Sequence, residues 1–451
     1  MSLFHSVGNH PPISSRFLST PARIQLPAGH FILTASIVVT FLASTSVLTP
    51  IYPVYQSDWG LSSLTITVVF AIYSLAVLLT LLTFGALSDH IGRKPVLISA
   101  LLAQIAAMAI FATAEGVYAL LAGRMVQGLA IGAALGAVGA TLIDLDRARS
   151  TLTNAVIPVI GCSLGILVST QVVEHLPHPT RTIYLIMLVV FAVQAVGVAT
   201  MPETGTRRDG ALASLRPTFA VPQDARRPLF IAAPVVFAVW ALAGLYGSLG
   251  PALVDTLHPG PSPLLAGLPI FLITAVAVVT IVALHDIEPQ RLFEIGVGAL
   301  VLGLVGTLAA LHTGSLAGLY ASTVIAGIGF GGGFQGGIRT VVPHAGSEHR
   351  AGVLSVLYIC CYLGFGAPAV VAGYLSIQQG DPSVVTREYA AVLLLLAVPT
   401  VLGFAVRHAR VSVGAQGGGK RRATPLSIVR SHQVAALPRG TVVLSRMRSP
   451  R

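Results

Sequence analysis

A chain of 451 residues in which 54% are hydrophobic and only 10% charged falls far below the roughly one-quarter charge of soluble domains, which excludes an ordinary soluble enzyme or scaffold. Its formal charge of +11 does not mark a nucleic-acid binder: ten Lys and Arg lie between Arg407 and Arg451 with no Asp or Glu among them, and the remainder balances 17 basic against 16 acidic residues. With neither a recognition motif nor interleaved aromatics, nucleic acid is set aside, and the basic tail reads as a partner for anionic lipid headgroups.

The apolar residues come in long runs, and about 20 mostly apolar residues suffice for one helical crossing of the hydrocarbon core. The N-terminal stretch 1–29 carries Arg16 and Arg23 and leads into the run Phe31–Ile51. That run is too long for a signal-peptide core and lacks a small-x-small cleavage site, so it predicts an uncleaved first span. Spans follow in order over 30–53, 62–87, 95–114, 117–143, 152–174 and 181–201, then over 229–253, 264–285, 291–311, 316–342, 351–376 and 389–407. Each run is apolar around its whole circumference and much longer than a strand, which predicts helices and not a barrel. The reading is an all-α integral membrane protein of twelve transmembrane helices in two six-helix bundles.

Orientation follows from the basic residues. With both termini cytoplasmic, 24 of the 27 Lys and Arg fall on the inner side; Arg181 and Arg387 fall outside, and Arg124 lies within a span. The one long polar break, 203–228, separates a bundle over 30–202 from a second over 229–407, with a basic cytoplasmic tail at 408–451. The halves echo each other at an offset of 197 residues, which places Asp89 on Asp286 and Gly132, Gly136 and Gly139 on Gly329, Gly333 and Gly336. Two six-span repeats are a transporter architecture.

Between the second and third spans stands Gly85-Ala-Leu-Ser-Asp89-His-Ile-Gly92-Arg93-Lys94-Pro95. Gly85 permits close helix approach and Gly92 a tight turn. Asp89 can accept from Arg93 or face the positive end of a neighbouring helix, and Arg93 and Lys94 anchor the loop on the cytoplasmic side. Span 4 carries Gly123-Arg124-Met-Val-Gln127-Gly128-Leu-Ala-Ile-Gly132. A charge there costs several kcal/mol unless it finds a partner, water or the interface, which makes Arg124 a functional candidate; snorkelling to the outer surface is the alternative. Gln127, three residues on, shares its face. Met201-Pro202-Glu203-Thr204 closes span 6, where a proline and a charge simply stopping a helix would look the same.

These patterns resemble the major facilitator superfamily. The Gly85–Pro95 loop fills every position of its G-x-x-x-D-x-x-G-R-K/R signature, span 4 is similar to its R-x-x-Q-G element, with Gly132 one residue wider than the usual spacing, and the Met201–Thr204 end of span 6 resembles a common ending of that helix. The resemblance covers about 30–407. It implies alternating access by rocking of two bundles around a central cavity, with the signature loop latching the bundles on the cytoplasmic side. It also implies Asp144, at the inner end of span 4, as a partner for Arg93, although a solvated helix end would account for that aspartate as well. Cavity walls in the family come from the first and fourth spans of each half, which makes Arg124, Gln127, Trp240, Tyr246 and Gln335 candidate substrate contacts. For Gln335 a helix–helix hydrogen bond is the competing role.

Other chemistries find little support. The run Gly327–Gly337 matches G-x-G-x-x-G twice, yet a dinucleotide site needs a preceding strand, and small residues in a span more simply pack helices. Cys162, Cys360 and Cys361 read as small buried hydrophobes; no metal spacing, paired carboxylates or nucleophilic triad is present, so neither an enzyme nor a cofactor is expected. No carboxylate lies mid-span, where a proton relay would place one. The segment Asn154–Gly165 also departs from the family's antiporter pattern, which leaves proton coupling without an evident carrier. The expectation is a secondary transporter in a bacterial cytoplasmic membrane, acting as a monomer and exporting apolar or amphipathic small molecules. An uptake permease for a small metabolite is the alternative.

Overall fold

A computed structural model describes residues 28–205, 207–217 and 219–418. Twelve helices among these residues are long and apolar enough to cross a membrane: α1 (Ala28–Trp59), α2 (Ser63–Phe84), α3 (Arg93–Ala112), α4 (Val117–Leu145), α5 (Arg147–His175) and α6 (Pro179–Thr200) in the first half. The second half holds α7 (Gln223–Ser248), α8 (Pro263–Ala283), α9 (Pro289–Thr313), α10 (Leu316–Val341), α11 (Gly346–Gln379) and α12 (Pro382–Gly418). No strand occurs among the described residues. One compact unit runs to Gly403; a second comprises Phe404–Arg451, of which 404–418 is helical. Of the expected tails, 1–29 and 408–451, residues 1–27 and 419–451 lie outside the described residues, while 28–29 and 408–418 are helical.

The helices start where short side chains can satisfy their open N–H groups. Ser62 accepts from the Thr65 N–H at 3.1 Å, Ser262 from Leu265 at 3.3 Å and Ser315 from Gly318 at 3.0 Å, while Asp146 caps α5 by accepting from Ala148 and Arg149. Hydropathy places the helix ends less well than capping does. α12 begins at Pro382, seven residues before the apolar run, because Asp381 accepts from the Ser383 N–H at 2.7 Å and the helix carries Arg387 and Glu388 in its early turns.

Two spans are interrupted. α1 breaks at Val47, three residues before Pro50, and α7 ends at Ser248 and is followed by a short helix, Gly250–Leu257, that contains Pro251; neither proline can donate to the carbonyl four residues earlier. In α7 the carbonyl released by Pro251 is that of Gly247, and it accepts the Thr49 hydroxyl of the opposite half at 2.9 Å.

Within each half, glycines set the helix spacing. A Cβ on Gly128, Gly132 or Gly136 would lie 2.6–2.8 Å from atoms of α2 and of Gly85 just after it, including the carbonyl oxygens of Tyr73, Val77 and Gly85. These residues form one i, i+4 row of α4, so the α2–α4 contact is nearly backbone to backbone. In the second half Gly327 and Gly331 meet α8, while Gly329 and Gly336 meet α9. The expected repeat offset of 197 is therefore corrected. Gly128 and Gly132 correspond in packing to Gly327 and Gly331, an offset of 199. The N-caps Ser62 and Ser262 give 200, as do Thr80 and Thr280, which face those glycines. The glycine-rich run is a packing surface for two neighbours at once.

The halves meet chiefly through α2 with α11 and α5 with α8. The Ser74 hydroxyl donates to the Tyr362 carbonyl, Ser163 donates to Thr274 at 2.8 Å, and Phe70 lies against Phe365 with ring centroids 4.5 Å apart. Cβ atoms on Gly366 and Gly267 would touch Ser74 and Ile166 across the seam. These contacts, with Thr49–Gly247, lie at mid-membrane or in the half away from Asp89. Here the end bearing Asp89 and residues 201–222 is termed the linker side, and its opposite the far side.

Candidate functional site

At the linker side the signature loop forms a compact ionic knot. A short helix, Ser88–Ile91, ends at Gly92, whose φ of 106° suits glycine and whose α-hydrogens leave room for Glu203; a Cβ there would come within 2.5 Å of the Glu203 Oε2. Arg93 pairs with Asp89, donates from Nη1 to the Ser88 hydroxyl at 2.8 Å, and places Nε 3.5 Å from the Asp144 carboxylate. The structure thus brings Asp89, Gly92, Arg93 and Asp144 together, with Gly85 against Gly136 of α4 immediately behind. All of these residues belong to the first half.

Glu203, which by sequence marks only the end of span 6, completes the knot. Its Oε1 accepts from the N–H of Arg93 at 2.8 Å and of Gly205 at 3.0 Å, and its Oε2 accepts from the N–H of Lys94 at 3.2 Å. A carboxylate therefore sits on the positive end of α3. Lys94 does the converse with its ammonium, which donates to the carbonyls of Ala199 at 2.6 Å and Met201 at 2.9 Å at the end of α6. The two antiparallel helices cap one another. The linker is fastened to the same loop, since His90 Nδ1 lies 2.9 Å from the Asp209 carbonyl and the Arg208 N–H donates to the His90 carbonyl.

Arg124 does not snorkel. It is 1% exposed and points inward between α1, α2 and α4. Nη1 donates to the Thr45 carbonyl at 3.2 Å and to Gln127 Oε1 at 2.9 Å, and Nη2 donates to the Tyr52 hydroxyl at 2.6 Å. The guanidinium carbon lies 5.2 Å from the Tyr73 ring centroid and 6.0 Å from that of Tyr52, within cation–π range. Gln127 passes the chain on, donating to the carbonyl and hydroxyl of Ser44, whose hydroxyl also accepts from Gln104 at 2.7 Å. Every partner is neutral, and Arg124 Nε is buried without one.

The second-half candidates separate. Tyr246 is fully buried with its hydroxyl 3.3 Å from Thr307 of α9, which is itself 3.1 Å from Ser322 of α10; this chain lies inside the second bundle. Trp240 is the hub of an aromatic cluster at the seam. Its ring centroid lies 5.8 Å from Phe330, 5.4 Å from Phe334, 5.5 Å from Tyr362 and 5.6 Å from Phe365. Gln335, next to Phe334, is half-buried and stands one helical turn beyond Gly331, on the α10 face that meets α8. The sequence does not single out the ring partners of Trp240; its one local signal is Phe330 and Phe334, four residues apart within the glycine run.

No group of three or more His, Cys, Asp or Glu side chains able to hold a metal occurs among the described residues.

A family model described as Major Facilitator Superfamily matches residues 34–367. Among characterised proteins, the inner membrane transport protein YajR of Escherichia coli K12 is 37% identical over 107 residues, 24% of this chain and 23% of its own length. The class C tetracycline resistance protein of E. coli is 45% identical over 85 residues, covering 18% of this chain and 22% of that protein. The multidrug resistance protein MdtL of Klebsiella pneumoniae strain 342 is 27% identical over 180 residues, 36% of this chain and 44% of its own. The matched segments thus span less than half of each relative. The fold is shared over most of the chain with the nucleoside transporter NupG (TM-score 0.63, 15% identity, 83% of this chain and 98% of that one). It is shared likewise with the human organic anion transporter MFSD10 (TM-score 0.61, 20% identity, 83% and 100%).

Proposed function

The chain belongs to the Major Facilitator Superfamily, a multi-pass membrane transporter of small molecules and not an enzyme, and from that premise we propose that it exports apolar or amphipathic compounds by alternating access. The observation that carries this reading is the seam. Its contacts cluster at mid-membrane and on the far side, through Ser74–Tyr362, Ser163–Thr274, Phe70–Phe365 and Thr49–Gly247, while the ionic knot on the linker side keeps its bonds within the first half. With the termini cytoplasmic, as the basic residues argue, this is an inward-facing state that takes its cargo from the cytoplasm of a bacterial cell. Beside these contacts Trp240 gathers four further aromatic rings, a lining that suits an amphipathic cargo better than a sugar. The resemblance in segments to a tetracycline resistance protein and to MdtL supports the same direction.

The signature loop acts as the latch. Asp89, Arg93 and Asp144 hold the loop rigid, and closure of the linker side would bring it against the second half. Coupling to protons would have to use groups other than a mid-span carboxylate. The protein works as a monomer, and its basic tail meets anionic lipid. Everted membrane vesicles test the direction: export requires that a fluorescent amphipathic compound accumulate in vesicles on energisation, whereas accumulation only in right-side-out vesicles would establish uptake.

A further inference from the structure

We propose that the Trp240 cluster is the seat of a planar aromatic cargo that presents a hydrogen-bond acceptor to the indole N–H and is neutral or anionic, not cationic. The inference rests on the reading of the seam as the cargo's path and adds the chemistry that the seam selects.

Three observations converge. Trp240 is surrounded by four rings from two helices, Phe330 and Phe334 on α10 and Tyr362 and Phe365 on α11, with centroids 5.4–5.8 Å away. Interplanar angles of 48–78° leave the rings tilted or edge-on to Trp240, so none of these four stacks on its face. A flat ring that enters as the bundles separate could stack on that face in an offset geometry. The cluster is also a junction of the two halves: Phe365 touches Phe70, and the Tyr362 carbonyl accepts from Ser74. A molecule seated there is in contact with the groups that separate when the bundles rock.

The second observation is that Trp240 Nε1 is buried with no acceptor. An enclosed N–H without a partner is costly, and a cargo carbonyl or phenolate oxygen would satisfy it. A quaternary ammonium, the usual occupant of an aromatic cage, would not.

The third is charge. Arg124 contributes a positive charge to the membrane interior, its partners are neutral, and its guanidinium lies against Tyr73 of α2, beside the Ser74 and Phe70 that touch the cluster. In a low-dielectric interior a like charge is repelled over longer distances than in water, so Arg124 disfavours a cationic cargo and favours an anionic one.

The test is equilibrium dialysis of the purified full chain in detergent against two planar tricyclic probes: anthraquinone-2-sulfonate, which is anionic and carries carbonyl acceptors, and N-methylacridinium, a permanent cation with none. The expected result is that the anthraquinone binds at least about 10-fold tighter than the acridinium, a difference of about 1.4 kcal/mol. W240F keeps a ring but removes the N–H and should weaken anthraquinone binding about 3- to 10-fold, the range of one hydrogen bond, with acridinium binding unchanged. W59F, at the other tryptophan of the chain, should alter neither. Acridinium binding as tight as anthraquinone binding, no binding of either probe, or an unchanged anthraquinone affinity in W240F overturns the proposal. The wild-type comparison needs no variant to fold. Vesicle export with failed probe selectivity would remove this inference alone; probe selectivity without export would remove the proposed direction alone.

Discussion

Gly366 is where one added side chain should move the equilibrium between states most cleanly. It lies on α11 against α2, and a Cβ built on it would sit 3.0 Å from the Ser74 Cβ, 3.1 Å from its hydroxyl and 3.5 Å from the Ala71 Cα. Alanine would already crowd these atoms, and the two methyls of valine would force α2 and α11 apart. Overpacking of this kind costs about 1–3 kcal/mol, and it is incurred only where the far-side seam is closed. The ratio of the linker-side-open state to its alternate should therefore fall by about 5- to 160-fold. Spin labels on Arg149 of α5 and Arg291 of α9, both exposed and both at the linker side, report the opening. They would be introduced as cysteines after Cys162, Cys360 and Cys361 are replaced by alanine. Pulsed electron resonance should show a shorter distance population growing in Gly366→Val as the linker side closes. An unchanged distance distribution in a well-folded variant would refute the assignment of this seam as the part that opens.

Three further outcomes follow from the same geometry. Asp89→Asn removes the charge that pairs with Arg93 at a half-exposed site, where an ion pair contributes about 0–1 kcal/mol, so expression should survive while transport falls; normal transport would remove the latch role. Arg124→Ala strips partners from Gln127 and Tyr52 and should reduce transport far more than Arg181→Ala in the same vesicle assay, and equal effects would show that the buried network is dispensable. Glu203→Ala leaves the N–H groups of Arg93, Lys94 and Gly205 without their acceptor, a loss of about 0.5–2 kcal/mol by analogy with helix capping; the thermal midpoint in detergent should drop while the relative preference among cargoes is unchanged.

The spans were legible because hydrophobicity around a whole helix is a local property of composition. Where they began was less so: Pro382 and its Asp381 cap precede the apolar run, and a hydropathy window does not see a cap. The Asp89–Arg93 pair could be read because the two residues lie one helical turn apart, whereas Asp144, 51 residues on, came only through the family resemblance. Glu203 could not, since its bonds to Arg93 and Lys94 cross 110 and 109 residues and a charge after a proline also marks any helix end. For Arg124 the sequence left open a choice between snorkelling and burial. The decision belongs to Tyr52 and Tyr73, on helices whose rotation the sequence does not fix. Trp240 and Tyr246, six residues apart on one span, part company for the same reason: one faces the seam and the other Thr307. The repeat offset misled because matching glycines by residue type ignores which neighbouring helix each one meets.

Carriage of amphipathic compounds out of the cytoplasm is tested most directly by growth inhibition in efflux-deficient bacteria. Cells expressing the wild type or Asp89→Asn at matched membrane levels would be challenged with a panel of antimicrobial compounds spanning neutral, anionic and cationic amphiphiles. Protection by the wild type against some of them, lost in Asp89→Asn, is the expected result. No protection by the wild type against any compound, despite good membrane expression, would contradict export of this class and leave uptake as the better reading.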